Sequence, residues 1–256
     1  MDWDESCAFQ QSTPYAVAAA ACGARIGRGV FDGVQVQWLD RRGLRLMSRS
    51  DAPGCVLRRL ARHAGVTVAT GKAQGFGLVP VVTDRFVALW DLAAAPADLR
   101  AGMDAKWRGH LTKAEKDVRV RAGGKACLAA LLAHEGAQRS ARGYRALPAA
   151  FALALPGESL RLWEWRHAGA MQAAMCFVRH GDRATYHISW ASDVARGRAV
   201  HQVMLWQAAC ALRNEGVRWL DLGDVNTDAA PGLARFKLGT GAGLVSVGKT
   251  AWVLPG

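Results

Sequence analysis

The chain has 256 residues, 51% of them hydrophobic, and its 33 Lys and Arg against 21 Asp and Glu give a formal charge of +12. This composition excludes a disordered, collagen-like or membrane-spanning protein, and the length allows one large domain or two small ones. The basic excess favours polyanionic partners such as nucleic acid, nucleotide phosphates or anionic lipid, without selecting among them.

The six cysteines are spread along the chain with no Cys-x-x-Cys pair and no cysteine–histidine cluster. This spacing predicts neither a zinc site nor a disulfide framework, so no metal ligands are assigned. The amino-terminal residues are acidic, unlike those of a secretory signal, and the Ala-rich stretch 16–21 is too short to span a bilayer. We therefore expect a cytoplasmic protein without an integral membrane segment.

The first hundred residues predict short helices that alternate with strands. Ser12 and Thr13 precede Pro14, and the Ala-rich run that follows ends at Gly23, which is the pattern of a capped helix. The other predicted elements are a hairpin of residues 34–38 and 43–47, a helix over 55–63, and strands over 75–82 and 86–89.

Residues 100–125 hold eight Lys and Arg against three Asp and Glu, a net charge of +5. The segment is predicted as a basic helix, which is either a solvated face or a surface for phosphates. Trp107 lies within it and could stack on a nucleobase beside Lys106 and Arg108.

The second half predicts an antiparallel meander followed by a helix and further strands. The meander strands cover 160–166, 171–179 and 184–190, and the elements after them are a helix over 199–214, a strand over 217–222, a polar loop over 224–231, a helical turn over 232–238 and a final strand over 244–253. This order indicates an α+β fold in which helices cover the faces of a sheet.

Four segments resemble the FemAB-like branch of GNAT acyltransferases, the aminoacyl-tRNA-dependent enzymes that build peptidoglycan cross-bridges, and the related acetyltransferase-like proteins. The segments are 106–118 (KWRGHLTKAEKDV), 186–192 (YHISWAS), 216–223 (GVRWLDLG) and 232–239 (GLARFKLG). The resemblance implies a GNAT fold with a mixed, mostly antiparallel sheet flanked by helices. It also implies a reduced amino-terminal GNAT-like companion unit over 1–99 and a FemAB-like transferase unit over 100–256.

The donor is the main point on which this chain departs from ordinary GNAT enzymes. Acetyl-CoA enzymes bind pyrophosphate on a [Q/R]-x-x-G-x-[G/A] loop at a helix N-terminus. Here Gly197 and Ala199 match, whereas Val194 replaces the Gln or Arg. The resemblance therefore implies aminoacyl-tRNA as co-substrate with no tightly bound cofactor, and acyl-CoA is the alternative. The candidate donor-binding residues are Arg108, Lys113, Lys116, Arg196, Gly197 and Arg198.

Acyl transfer to an amine needs a deprotonated nucleophile, a stabiliser for the oxyanion and a proton for the leaving group. Lys237 follows Phe236 in the segment where the resemblance implies a lysine linked to the charge that develops during transfer. The sequence also allows a surface lysine on a short helix. Asp221, near the end of a strand, could orient or deprotonate the acceptor amine, or it could face solvent.

The acceptor is expected to be a small-molecule or peptide amine. Candidate acceptor-binding residues are His187, Trp190, Ser192, Asp224, Asn226 and Phe236. A histidine within a strand is more often structural, and acidic loop residues often form turns, so structural roles stay open for these positions. A Gly-x-Ser-x-Gly elbow is missing from the sequence, which disfavours a hydrolase. The rivals to an aminoacyltransferase are an acyl-CoA-dependent N-acyltransferase and a catalytically silent RNA-binding protein.

Overall fold

The structure is a computed structural model that describes residues 3–4 and 7–256. Asp2 and Glu5, which supply part of the acidic amino-terminal charge, lie outside the described residues. The α-helices are α1 (Thr13–Ala21), α2 (Gly54–Ala61), α3 (Pro96–Ala101), α4 (Ala105–Ala114), α5 (Lys125–Arg142), α6 (Ala149–Leu153), α7 (Asp193–Gly197), α8 (Val200–Asn214) and α9 (Pro231–Leu238). Two short 3-10 helices span Phe9–Gln11 and Gly157–Ser159.

The strands are β1 (Arg25–Phe31), β2 (Val34–Arg41), β3 (Leu44–Met47), β4 (Val66–Gly71), β5 (Leu78–Asp91), β6 (Arg121–Ala122), β7 (Leu160–His167), β8 (Ala170–His180), β9 (Arg183–Ala191), β10 (Trp219–Asp224) and β11 (Gly243–Val253). Within residues 3–4 and 7–256 these strands form one sheet in the order β1-β2-β3-β4-β11-β5-β10-β9-β8-β7-β6. Neighbouring strands are antiparallel except for the parallel pairs β3–β4 and β9–β10. The predicted α+β fold with a mixed, mostly antiparallel sheet is therefore confirmed.

The middle of the sheet joins strands from distant parts of the chain. β11 pairs with β4 and β5, and β5 pairs in turn with β10. Strands from both predicted units thus contribute to one continuous sheet. The division of the chain at residue 99 stays a prediction.

The largest core cluster packs α4 and α8 against one face of the central strands. Leu111 of α4, Met204 and Leu212 of α8, Phe177 of β8 and Leu220 of β10 are all fully buried. Burial of each such side chain stabilises the fold by about 2 kcal/mol. This packing holds β9 and β10 in place.

The opposite face of the sheet is concave. Leu39 of β2 and Val178 of β8 are far apart in the strand order, yet they share a core cluster with Phe9 and Phe151. The sheet is therefore strongly curved. Helix α1 contacts both β1 and β8, and the 3-10 helix Phe9–Gln11 contacts β2. This curl brings the end of β3 towards β10.

Most predicted elements are confirmed, and two are wrong. The strands predicted over 75–82 and 86–89 are one strand, β5, because β11 pairs along its length across several register irregularities. The single basic helix over 100–125 is also wrong. Asp104 caps the start of α4 by accepting hydrogen bonds from the backbone N–H groups of Lys106 and Trp107, so the segment divides into α3, α4 and β6.

No helix in the described part of the chain combines the length and the apolar character needed to cross a bilayer.

Candidate active site

The parallel strands β9 and β10 separate near the centre of the sheet. Their last paired residues are Thr185 and Asp221, and within the described residues the two strands do not pair beyond this point. Both nevertheless continue, β9 to Ala191 and β10 to Asp224. The facing edges of the two strands therefore present backbone N–H and C=O groups to the gap, where a ligand can bind them.

A β-bulge lies in β9 beside this gap. Ile188 pairs with Cys176 and Tyr186 pairs with Phe177, so His187 is the extra residue between two successive pairs. A bulge re-aims the strand and its side chains, and bulges are frequent next to active sites. The separation of the strands and the bulge together mark this position as the candidate site.

Lys237 of α9 reaches the β10 side of the gap. Its side chain is only 5% exposed, and its Nζ donates a hydrogen bond to the carbonyl oxygen of Asp224 at 2.6 Å. Gly223 has a φ of +78°, and a Cβ added there would lie 3.5 Å from Nζ. Burial lowers the pKa of Lys237 to about 8, while the charge of Asp221 acts in the opposite direction.

Asp221 is 6% exposed, and both of its carboxylate oxygens accept hydrogen bonds from the protein. One accepts from Arg49 at 2.5 Å, and the other accepts from the backbone N–H of Gly223 at 2.7 Å. The structure thus brings together the two predicted catalytic residues, Asp221 and Lys237. Because both oxygens are engaged, the geometry favours an orienting and electrostatic role for Asp221 over proton removal from the acceptor.

His187, a predicted acceptor-binding residue, packs between aromatic rings. Its ring centroid lies 5.8 Å from that of Phe9 and 6.0 Å from that of Phe151. Burial lowers its pKa to about 4, so the ring is neutral at pH 7, and its Nε2 has no hydrogen-bond partner among the described residues. These contacts give His187 a packing role at the bulge.

Other predicted acceptor residues also have structural contacts. Ser192 caps α7 by accepting from the backbone N–H of Ala195, and Asn226 accepts from two backbone N–H groups in the loop after β10. Asp224 forms an ion pair with Arg85. The role of these residues in acceptor binding stays a prediction.

The aromatic candidates Trp190 and Phe236 pack against different core clusters. The ring of Trp190 stacks on His134, with centroids 3.9 Å apart. Phe236 instead contacts Trp107, whose indole N–H donates to the Phe236 carbonyl oxygen at 3.0 Å. The prediction that Trp107 stacks on a nucleobase is wrong, because its side chain is 5% exposed and belongs to the core.

Some of the predicted donor-binding side chains are already hydrogen-bonded to the protein, whereas others are exposed to solvent. Arg108 donates to the carbonyl oxygens of Ala101 and Met103, whereas Lys113 and Lys116 are exposed to solvent. Arg100 of the same segment pairs with Glu115. The lysines are thus exposed without a carboxylate partner in the part of the chain that the structure describes, whereas the exposed Arg121 pairs with Glu164 and Arg119 donates to the Glu115 carbonyl oxygen.

The backbone of the predicted phosphate loop is already hydrogen-bonded within itself. The N–H groups of Ala195 and Arg196 donate to Ser192, that of Arg198 donates to Ala195, and that of Ala199 donates to Arg196. The residues that precede α8 therefore form the short helix α7 in place of an open cradle. Ala199 links α7 to α8 with a φ of +52°.

The side chains of this loop are occupied to different degrees. Arg196 donates to Asp193 at 2.7 Å and to Gln138 at 3.1 Å, while Arg198 is exposed. Gly197 is exposed, and nothing lies within 4 Å of a Cβ added there, so no close contact in the structure requires a glycine. Of the two arginines, Arg198 is therefore the one whose side chain is more accessible to a phosphate.

Sequence reasoning missed three polar residues next to Asp221. Arg49 forms the ion pair with its carboxylate, and His180 shares a 3.1 Å hydrogen bond with Thr185, the residue paired with Asp221. Arg49 is 172 positions from Asp221 in sequence. Arg49 lies two residues after the end of β3 and has a φ of +53°. Residues other than glycine seldom adopt this conformation, so the sequence gives no sign of it.

The mixed sheet flanked by helices, the separated parallel strands and the bulge are features of the GNAT fold. The sequence matches the family described as the acetyltransferase (GNAT) domain over residues 57–238, and the chain belongs to this family. It is therefore an acyltransferase. Among curated proteins, none matches the chain.

Solved structures of the same fold cover almost the whole chain. The structure of FemX has a TM-score of 0.77 at 12% identity and covers 98% of this chain and 94% of its own. L-PGS from Bacillus licheniformis has a TM-score of 0.61 at 10% identity, covering 95% and 88%. A tandem GNAT protein from the clavulanic acid biosynthesis pathway has a TM-score of 0.51 at 16% identity, covering 93% and 86%. The likeness to the FemAB-like branch is thus confirmed at the level of the fold.

Proposed function

We propose that the protein transfers an aminoacyl group from aminoacyl-tRNA to an amine acceptor by direct attack. The observation that carries the choice of donor is the hydrogen bonding within residues 192–199. A coenzyme A pyrophosphate is bound mainly through backbone N–H groups at this position of the fold. Four of these N–H groups already have partners within the loop, so they are not free to bind a pyrophosphate.

Lys237 is the residue proposed to act on the charge that develops during transfer. Its ammonium group is held at the end of β10, beside the gap between the strands, by the Asp224 carbonyl. A cation in a water-poor site stabilises an oxyanion more strongly than one in bulk water. With a pKa of about 8, the same group can also donate a proton to the departing oxygen near neutral pH. The C–N bond to the acceptor forms as the C–O ester bond breaks, and the neutral Lys237 amine can then take up the proton that the acceptor nitrogen loses.

The exposed lysines of α4 and the turn after it are proposed as part of the tRNA surface. Lys113 and Lys116 face solvent within a segment of net charge +5. Contacts between such cations and phosphates supply affinity that depends strongly on salt. The acceptor is proposed to be a small-molecule or peptide amine.

The experiment that tests the donor is a thermal-shift comparison of the purified protein with four ligands. We expect aminoacyl-tRNA to raise the Tm more than uncharged tRNA does, and acetyl-CoA or coenzyme A at millimolar concentration to leave the Tm unchanged. Stabilisation by acetyl-CoA that is lost in Arg198→Gln would instead establish the acyl-CoA-dependent enzyme. Equal stabilisation by charged and uncharged tRNA, with no transfer to any amine, would favour the silent RNA-binding protein.

A further inference from the structure

Arg49 connects the first third of the chain to the candidate active site. Its guanidinium lies 2.5 Å from the carboxylate of Asp221, and the side chain is 18% exposed. Arg49 follows β3, whereas Asp221 lies on β10, several strands away across the concave face. The pair therefore exists only because the sheet curls.

The backbone around Arg49 is held on both sides. The carbonyl of Ser48 accepts a hydrogen bond from the buried side chain of Gln11, and the N–H of Ser50 donates to the carbonyl of Thr70 on β4. Between them Arg49 adopts a φ of +53°, which is unfavourable for a residue with a Cβ. The chain thus accepts an unfavourable conformation at the position that aims this guanidinium at Asp221.

We propose that Arg49 is a positioning residue for acyl transfer, which holds Asp221 and thereby sets the charge environment of Lys237. The proposal rests on the proposed function of Lys237. Arg49 and the Gly223 N–H hold the two oxygens of the carboxylate, and Asp221 in turn is the charged group that acts on Lys237. Gly223, which binds Asp221 through its N–H, also lies beside Lys237, since a Cβ added at Gly223 would be 3.5 Å from Nζ. With Arg49 in place, part of the negative charge of Asp221 is compensated, and the lysine keeps a lowered pKa.

The charged groups near this pair come from several strands. Asp221 and Asp224 lie on β10, Arg49 follows β3, and Arg85 lies on β5. His180 of β8 is close to Arg49 and Asp221, and also to Asp182 and Arg183 at the turn into β9. His180 is neutral at pH 7, since burial lowers its pKa to about 4. Near neutral pH His180 therefore adds no charge to this pair, and Asp221 is the charged group that acts against burial at Lys237.

The test is an NMR titration of Lys237 in the full chain, without donor or acceptor. The chain has seven lysines, so the Cε signal of Lys237 can be assigned by its loss in Lys237→Arg. In Arg49→Gln the uncompensated Asp221 carboxylate should raise the titration midpoint of Lys237 by about one pH unit. Arg85→Gln is the matched control, because it removes the arginine from the more exposed Asp224 pair, and its midpoint should stay within about 0.3 units of the parent value.

An unchanged midpoint in folded Arg49→Gln, or an equal shift in Arg85→Gln, would overturn the proposal. If Arg49→Gln does not fold, Arg49→Lys replaces it and must shift the midpoint in the same direction by a smaller amount. Adding Arg49→Gln to Asp221→Asn must produce no further shift, because the carboxylate through which Arg49 acts is gone. The titration uses no substrate, so a negative result would overturn the role of Arg49 without affecting the proposed tRNA donor. A negative thermal-shift result would overturn the tRNA donor without affecting the role of Arg49.

Discussion

Trp107 of α4 donates its indole N–H to the carbonyl oxygen of Phe236 at 3.0 Å, and so ties α4 to the helix that carries Lys237. The two residues are 129 positions apart in sequence. A Cβ added at Gly239 would lie 2.6 Å from the Trp107 ring, so the end of α9 packs directly on the indole. The position of Lys237 therefore depends on a buried tryptophan of the basic segment.

We expect Trp107→Phe to lower the free energy of unfolding by about 1–2 kcal/mol, because the Phe236 carbonyl loses its partner and the ring leaves a gap. Urea unfolding followed by circular dichroism measures the change. Trp252→Phe is the control, since Trp252 is 54% exposed, and its effect should stay within about 0.5 kcal/mol. Equal effects of the two substitutions would contradict the assigned packing.

Lys237→Met should abolish transfer while it stabilises the fold at pH 7. The folded state holds Lys237 with a pKa of about 8, below its ordinary value of 10.5, so the buried ammonium destabilises the native state below pH 8. That penalty disappears as the pH rises towards 10.5, because the unfolded chain then also loses the proton. The methionine variant should gain about 2 kcal/mol at pH 7, and little at pH 10.5.

The same pKa predicts the alkaline limb of the activity profile. If the ammonium form of Lys237 is needed, the transfer rate should fall above about pH 8. Lys237→Arg keeps the positive charge at every accessible pH, so whatever activity it retains should lack this limb. Initial rates between pH 6 and 10 measure both profiles, and an identical limb in the two proteins would assign it to another group.

Three buried histidines predict loss of stability in acid. Burial lowers the pKa of His180, His187 and His201 to about 4 each, below the ordinary value of 6.5. Below pH 6.5 the unfolded chain binds protons at these histidines, whereas the folded chain does not do so until about pH 4. The free energy of unfolding is therefore unaffected above pH 6.5 and falls as the pH drops towards 4, by up to about 1.4 kcal/mol per pH unit for each residue. Urea unfolding at pH 7 and pH 4.5 measures this change, and the loss of unfolding free energy should be smaller in His187→Leu than in the parent protein. His63 is exposed, so His63→Gln is the control and should lose as much unfolding free energy as the parent does.

The proposed tRNA surface predicts a change in salt dependence. Replacing Lys113 and Lys116 by Gln should weaken tRNA binding and reduce the slope of log K against log salt by roughly one to two. Lys249→Gln on β11 removes a charge outside this segment and should leave the slope unchanged. Filter binding at several salt concentrations measures the slopes, and parallel lines for all three proteins would remove this surface from the donor site.

Local sequence signals predicted many of the elements well. Ser12 and Pro14 marked the start of α1, the tight turns marked the β7–β8–β9 meander, and apolar spacing marked α8. Each of these signals acts over a few residues, through a cap, a turn or one face of a helix. The continuity of β5 had no such signal, because it depends on pairing with β11 from the far end of the chain.

Residue types in the site were predicted better than their partners. Lys237 and Asp221 were identified by their segments, and the structure places them in one site. Arg49 was not identified, since its contact with Asp221 arises from the curl of the sheet and from a backbone conformation that its neighbours impose. Ser192 and Asn226 were predicted as acceptor-binding residues, and only the structure showed that their side chains accept hydrogen bonds from backbone N–H groups.

The sequence by itself determined the class of fold, the family resemblance and the charge of +12, because these depend on composition and on local spacing. The tertiary structure decided which of those charges are free. Arg100, Arg108 and Arg196 are held by carboxylates or carbonyls, whereas Lys113, Lys116 and Arg198 face solvent. The tertiary structure also placed Arg49, Asp221 and Lys237 in one site, since groups distant in sequence meet only where the sheet closes on itself.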